Sequence, residues 1–198
     1  MKRKLIFISL FLISQLTLAA DGPLKADLDV DGVVVKAIPT LPKESDKCPC
    51  VKKWLAKARK EDLVAMYSLA SCFGLSDQPK YKSVPSEKYC EMNSEIYVDW
   101  MGAAATRGFA PAQYAYGTAW FYGSGSKKMS PDKGIKWWAQ AASQGVAQAY
   151  FSLGDVYEHG VGRKIDLPKS LALFKEAERL GDNRAKERIR SLESALKK

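Results

Sequence analysis

Four thiols, Cys48, Cys50, Cys72 and Cys90, are the residues most able to do chemistry in this 198-residue chain. Thiols bind metal, carry redox turnover or pair as disulfides. A zinc site needs ligand pairs at knuckle spacing. Cys48-Pro49-Cys50 is too tight for that, Cys72 and Cys90 stand alone, and the single histidine, His159, is far along the chain. The compartment decides between the remaining options. Lys2-Arg3-Lys4 precede fourteen mostly apolar residues, Leu5 to Leu18, which end at Ala19-Ala20. A cationic start, an apolar run too short to span a bilayer and a small-residue exit make up a secretory signal peptide. Residues 1–20 are therefore expected to be removed, with no cysteine at the exit to carry a lipid and no stable membrane anchor left behind. The expected location is periplasmic or secreted. In an oxidising compartment an even cysteine count reads as disulfides.

Other reactive patterns are thin. Ser-x-x-Lys, the nucleophile motif of penicillin-binding proteins and β-lactamases, occurs at Ser124–Lys127, Ser130–Lys133 and Ser194–Lys197. Those enzymes also need Ser-Asp-Asn and Lys-Thr-Gly, and this chain has neither. It lacks a Gly-x-Ser-x-Gly elbow, a phosphate loop and a dinucleotide fingerprint. His159 has no nucleophile beside it in the sequence, and it reads as a surface histidine. No catalytic residue, metal or cofactor is expected.

Charge is unevenly placed. The formal net charge is +9, three of those charges lying in the leader. Residues 21–46 hold six acids against three bases, residues 47–60 six bases and no acid, and residues 163–198 eleven bases against six acids. A basic surface suits nucleic acid, anionic lipid or acidic protein. Export makes nucleic acid the poorest of the three, and a solvated helix surface accounts for most of these charges.

The elements that would position any site come from a repeat. Gly108-Phe-Ala-Pro-Ala112, Gly145-Val-Ala-Gln-Ala149 and Gly181-Asp-Asn-Arg-Ala185 recur at spacings of 37 and 36 residues. A period of this length means a two-helix unit stacked into a solenoid. Ala112, Tyr116 and Trp120 share one face of a first helix, which Gly123-Ser-Gly125 breaks, as Gly160-Val-Gly162 breaks its copy. Pro131-Asp132 and Leu167-Pro168 open second helices, where a first-turn proline gives up no hydrogen bond. Ile135, Trp138 and Ala142 form the apolar face of one of them. Glycine and alanine inside these helices suit close approach of their axes. Residues 21–46 fit no repeat; Val30 to Ile38 has strand character and Pro23, Pro39 and Pro42 keep the segment from being a helix.

Leu153-Gly154-Asp-Val-Tyr157-Glu-His-Gly160-Val-Gly162 and Ile135-Lys-Trp-Trp-Ala-Gln-Ala-Ala-Ser-Gln-Gly145 resemble the Sel1-like repeat family, relatives of tetratricopeptide repeats. The resemblance is strong over residues 97–181 and extends more loosely both ways. Upstream, Val51-Lys-Lys-Trp54-Leu-Ala-Lys-Ala58 matches a second helix and Asp62 to Phe73 a first one, without the glycine pair and with an insertion at about 74–93. Downstream, Arg184 to Leu196 reads as a polar capping helix. The expected fold is all-α, a solenoid of about eight helices over 47–198. The resemblance implies that Trp54, Trp120, Trp137 and Trp138 plug the helix stack. It also implies that the first helix of each pair lines the concave side. Tyr114, Thr118 and Phe121, and one repeat later Phe151, Asp155 and Glu158, then become candidates for binding another protein.

Function follows from that groove. The expected role is a non-catalytic adaptor, regulator or inhibitor, for which exported family members that act as immunity proteins against antibacterial effectors such as lipases are one precedent. The alternative is a β-lactam-binding or β-lactamase-like enzyme, because cysteine-rich exported members have been described that way. Helix geometry brings Cys50 and Cys72 to the same end of an antiparallel hairpin, with Cys90 preceding a helix that starts there. A Cys48–Cys50 bridge would be strained, so each of the two is expected to pair with Cys72 or Cys90.

Overall fold

The computed structural model describes residues 38–74, 93–125 and 127–197. The leader and Cys90 lie outside the described residues, with most of the 21–46 segment and of the insertion. Among the described residues, eight α-helices follow a short 3-10 turn at Lys43–Lys47. They are α1 (Pro49–Ala58), α2 (Leu63–Gly74), α3 (Ser94–Thr106), α4 (Ala110–Tyr122), α5 (Pro131–Ser143), α6 (Ala147–His159), α7 (Leu167–Arg179) and α8 (Ala185–Ala195). No strand occurs among the described residues, and no helix there is long and apolar enough to cross a membrane. Each helix packs on its sequence neighbours, so the chain climbs as a solenoid.

Local chemistry explains the boundaries. Asn93 caps α3 by accepting from the backbone N–H of Glu95 and Ile96 (3.1 and 3.0 Å). Asp166 caps α7 through the N–H of Lys169 (2.9 Å), and Asp62 serves α2 through Ala65 (2.8 Å). Proline sits in the first turn of α1, α4, α5 and α7. Gly123 and Gly160 end α4 and α6 in the left-handed conformation, at φ +74° and +72°, a C-terminal cap that favours glycine.

The core is segmented along the stack. Trp100, Met66, Leu69 and Met101 are buried in the first segment, Ile135, Trp138 and Leu153 in the second, and Phe174, Ile189 and Leu192 in the third. Trp137 and Trp138 are core residues as expected, whereas Trp54 and Trp120 are only partly buried against the first segment. Small residues set the helix spacing. A Cβ on Gly117 would lie 2.8 Å from the Trp138 ring and one on Gly134 2.8 Å from the carbonyl of Gly117, so α4 and α5 touch backbone to backbone. Buried Gln113 ties α4 to α5 within one hairpin, donating to Gln140 (3.4 Å) and accepting from Gln144 (2.7 Å).

Cys50 and Cys72 form a disulfide between α1 and α2, with Cα atoms 5.9 Å apart. Cys48 is also disulfide-bonded. The hairpin bridge is one of the two pairings for Cys50 that helix geometry left open.

Candidate functional site

Three successive first helices, α4, α6 and α8, frame a cleft of about 340 Å3. Its aromatic wall is Phe121 and Tyr122 from the end of α4 with Trp138 from α5. The opposite wall is Ser152, Asp155, Val156 and His159 of α6, with Val161 beyond its cap and Arg188 reaching over from α8.

The aromatic wall is a stack held in place from behind. Phe121 lies on Trp138 with centroids 4.6 Å apart and planes at 29°, and Tyr114 lies at 6.4 Å on the same ring. The Trp138 indole N–H donates to the Thr118 hydroxyl and to the Tyr114 carbonyl, both at 3.2 Å. Of the three candidates on α4, Phe121 faces the cleft. Tyr114 and Thr118 orient the tryptophan that forms its wall.

The α6 candidates are engaged by the capping helix. Arg188 donates to Asp155 (3.0 Å) and Glu158 (2.7 Å). Phe151 packs edge-on against Phe174 at 5.2 Å, and the Arg184 guanidinium covers its ring at 4.3 Å. Asp155 therefore lines the cleft as one half of an ion pair, while Phe151 is half-buried under an arginine. Burial pushes the Asp155 carboxyl above its ordinary value, and this outweighs the opposite pull of Arg188. Asp182 moves the other way, because its hydrogen bond with Arg184 holds its carboxyl low.

Asp155, Glu158 and His159 bring ligand-type atoms within 4.8 Å of one another. Both carboxylates are already held by Arg188, so a dication there would face a fixed positive charge. His159 is exposed, and its Nδ1 lies 2.9 Å from the Asp155 carbonyl oxygen. Two of the three Ser-x-x-Lys lysines point elsewhere. Lys127 lies 3.8 Å from Asp99 and over the rings of Tyr116 and Trp120, and Lys133 lies over Trp120 at 4.2 Å. Neither lines the cleft.

Sequence reasoning missed Tyr122, Val161 and Arg188. Tyr122 and Val161 adjoin the glycines that end α4 and α6, where helical periodicity stops and residues read as turn. Arg188 sits in a helix whose pattern showed only a polar cap.

The Sel1 repeat family matches residues 110–146 and 147–182, the hairpins α4–α5 and α6–α7. The chain carries two Sel1 repeats. No curated protein matches the chain. Among solved structures, a Sel1 repeat protein from Oxalobacter formigenes aligns with a TM-score of 0.60 at 24% identity, over 74% of this chain and 54% of that one. A protective antigen of uropathogenic Escherichia coli strains, described as displaying an SLR fold, aligns with a TM-score of 0.58 at 26% identity, over 73% and 28%. The Sel1-repeat chain thus spans about half and about a quarter of these proteins. Sel1 repeats mediate binding to other proteins and are typically non-catalytic scaffolds.

Proposed function

We propose that this Sel1-repeat protein is an exported, non-catalytic binding module that works in the periplasm or outside the cell as an adaptor, regulator or inhibitor. An immunity protein that neutralises an antibacterial effector, such as a lipase, is one form of that role. The observation carrying the reading is the cleft between α4, α6 and α8. Its aromatic wall is built rigidly on Trp138 and opens beside Tyr122, which is 68% exposed. Rigid aromatics at the mouth of a concave site are the usual anchors of protein interfaces. Export is supported by the leader pattern of residues 1–20.

Affinity capture on the exported form, quantified against a Phe121→Ala variant, tests the binding role. A protein retained by the wild type should bind the variant more weakly by roughly 1 to 4 kcal/mol, with helical circular dichroism unchanged. A chromogenic β-lactam should not be hydrolysed above background. Turnover abolished by Ser124→Ala or Ser130→Ala would overturn the non-catalytic reading.

A further inference from the structure

Four large apolar side chains are conspicuously exposed at one edge of the matched repeats. Tyr122 is 68%, Met129 70%, Val161 40% and Ile165 64% exposed. Tyr122 is the last residue of α4, and the other three belong to the turns that follow α4 and α6. These turns are neighbours, since Gly162 packs against Pro131 and Arg163 pairs with Asp132. Tyr122 and Val161 are on the rim of the cleft, Met129 lies against Gly123, and Ile165 lies against Gly160. The apolar surface therefore runs from one turn, across the mouth of the cleft, to the next.

The charged side chains around it are predominantly cationic. Lys128, Lys133 and Lys164 are exposed in or beside these turns. The acids nearby are already committed: Asp132 to Arg163, and Asp166 to the capping of α7. A surface that is apolar in the middle and cationic at the border complements a partner with the reverse border.

We infer that this edge docks an acidic protein segment, which inserts one large apolar side chain into the cleft and lays others along Met129 and Ile165, with carboxylates facing Lys128, Lys133 and Lys164. The inference rests on the binding role proposed above and names the partner's chemistry. A lipid surface fits less well, because a bilayer cannot fill a concave cleft. A second copy fits poorly too, since it would bring the same lysines face to face.

The test is selection of a random displayed peptide library on the purified protein. Binders should be enriched in Asp and Glu together with Leu, Phe or Trp. Their affinity should fall at least roughly tenfold with Tyr122→Ser or Val161→Ser, and several-fold with the charge reversals Lys128→Glu and Lys164→Glu. Both apolar residues are exposed or on a rim, so folding should survive, as checked by circular dichroism. Binders rich in Lys and Arg, or binders indifferent to Tyr122 and Val161, would overturn this surface while leaving a binding role intact. Failure to select any binder would count against both. Cosedimentation with phosphatidylglycerol vesicles, or a dimer, lost in Tyr122→Ser would assign the edge to lipid or to self-association and overturn the inference.

Discussion

The chain turns from α1 into α2 at Glu61, a non-glycine residue at φ +63°, whereas the three later junctions of this kind use Gly108, Gly145 and Gly181 at φ +91°, +85° and +96°. The same hairpin carries the Cys50–Cys72 bridge, and the matched repeats contain no cysteine. In α4–α5 and α6–α7, contact is instead secured by glycines inside the helices: Gly117 against Gly134, and Gly154 against the Phe174 ring. One architecture is thus closed in two ways. The repeats at 110–182 follow the local rule at every junction. The first hairpin breaks it with an unfavourable backbone at Glu61, and a covalent staple offsets the cost. A solenoid tolerates this because each unit contacts only its neighbours, so a departure at one end is not transmitted along the stack.

The largest expected effect removes the staple. Cys50→Ala with Cys72→Ala should lower stability by about 2 to 4 kcal/mol, the bridge joining residues 22 apart in sequence. Chemical denaturation measures the total. Native-state hydrogen exchange sharpens the comparison: amides of α1 and α2 should lose protection while those of α5 to α7 keep most of theirs. Uniform loss along the chain would show a single cooperative unit and erase the distinction. In the unaltered protein, non-reducing peptide mapping should recover Cys50 linked to Cys72.

A smaller effect is expected from tightening the other region. Gly134→Ala places a Cβ 2.6 Å from the Phe121 Cβ and 2.8 Å from the Gly117 carbonyl oxygen. The obstacle includes backbone, which cannot rotate away, so the helices must separate at a cost of about 1 to 3 kcal/mol. The shift also moves Phe121, hence the cleft wall should loosen, and fluorescence of the aromatic stack around Trp138 should change with it. A variant as stable as the wild type would mean that α4 and α5 do not depend on glycine contact.

This contrast also marks what the sequence disclosed. Period and glycine placement announced the helices, their order and the core positions Ile135, Trp138 and Ala142, because a repeat states its pattern several times. The candidate site was less legible. Tyr114, Thr118 and Phe121 share a helix face, yet only Phe121 reaches the cleft; the others serve Trp138, a partner on a different helix that periodicity within α4 cannot reveal. Phe151, Asp155 and Glu158 also lie on one face, but Arg184 and Arg188 engage them from a cap without repeat pattern. Side-chain reach between helices is set by tertiary packing, and the local sequence of either helix is silent about it.

The smallest effect isolates the turn residues themselves. Nothing lies within 4 Å of a Cβ built on Gly145, so Gly145→Ala meets no steric obstacle. Its cost is the left-handed backbone alone, about 1 kcal/mol. At Glu61 the same term should appear with opposite sign, but it is mixed with an ion pair to Arg107 at 3.1 Å. Glu61 is more than half exposed in that pair, so the pair is worth no more than about 0.2 to 1 kcal/mol. Comparing Glu61→Gly with Glu61→Ala removes it from both sides, since neither variant keeps the carboxylate. The glycine variant should exceed the alanine variant by about 1 kcal/mol, matching the loss at Gly145. Thermal unfolding of the three variants in one buffer measures both differences. Equal stability of the two Glu61 variants would show that this junction relaxes out of the left-handed region once glutamate is gone. The first hairpin would then be held by the disulfide and not by the conformation it shares with the glycine turns.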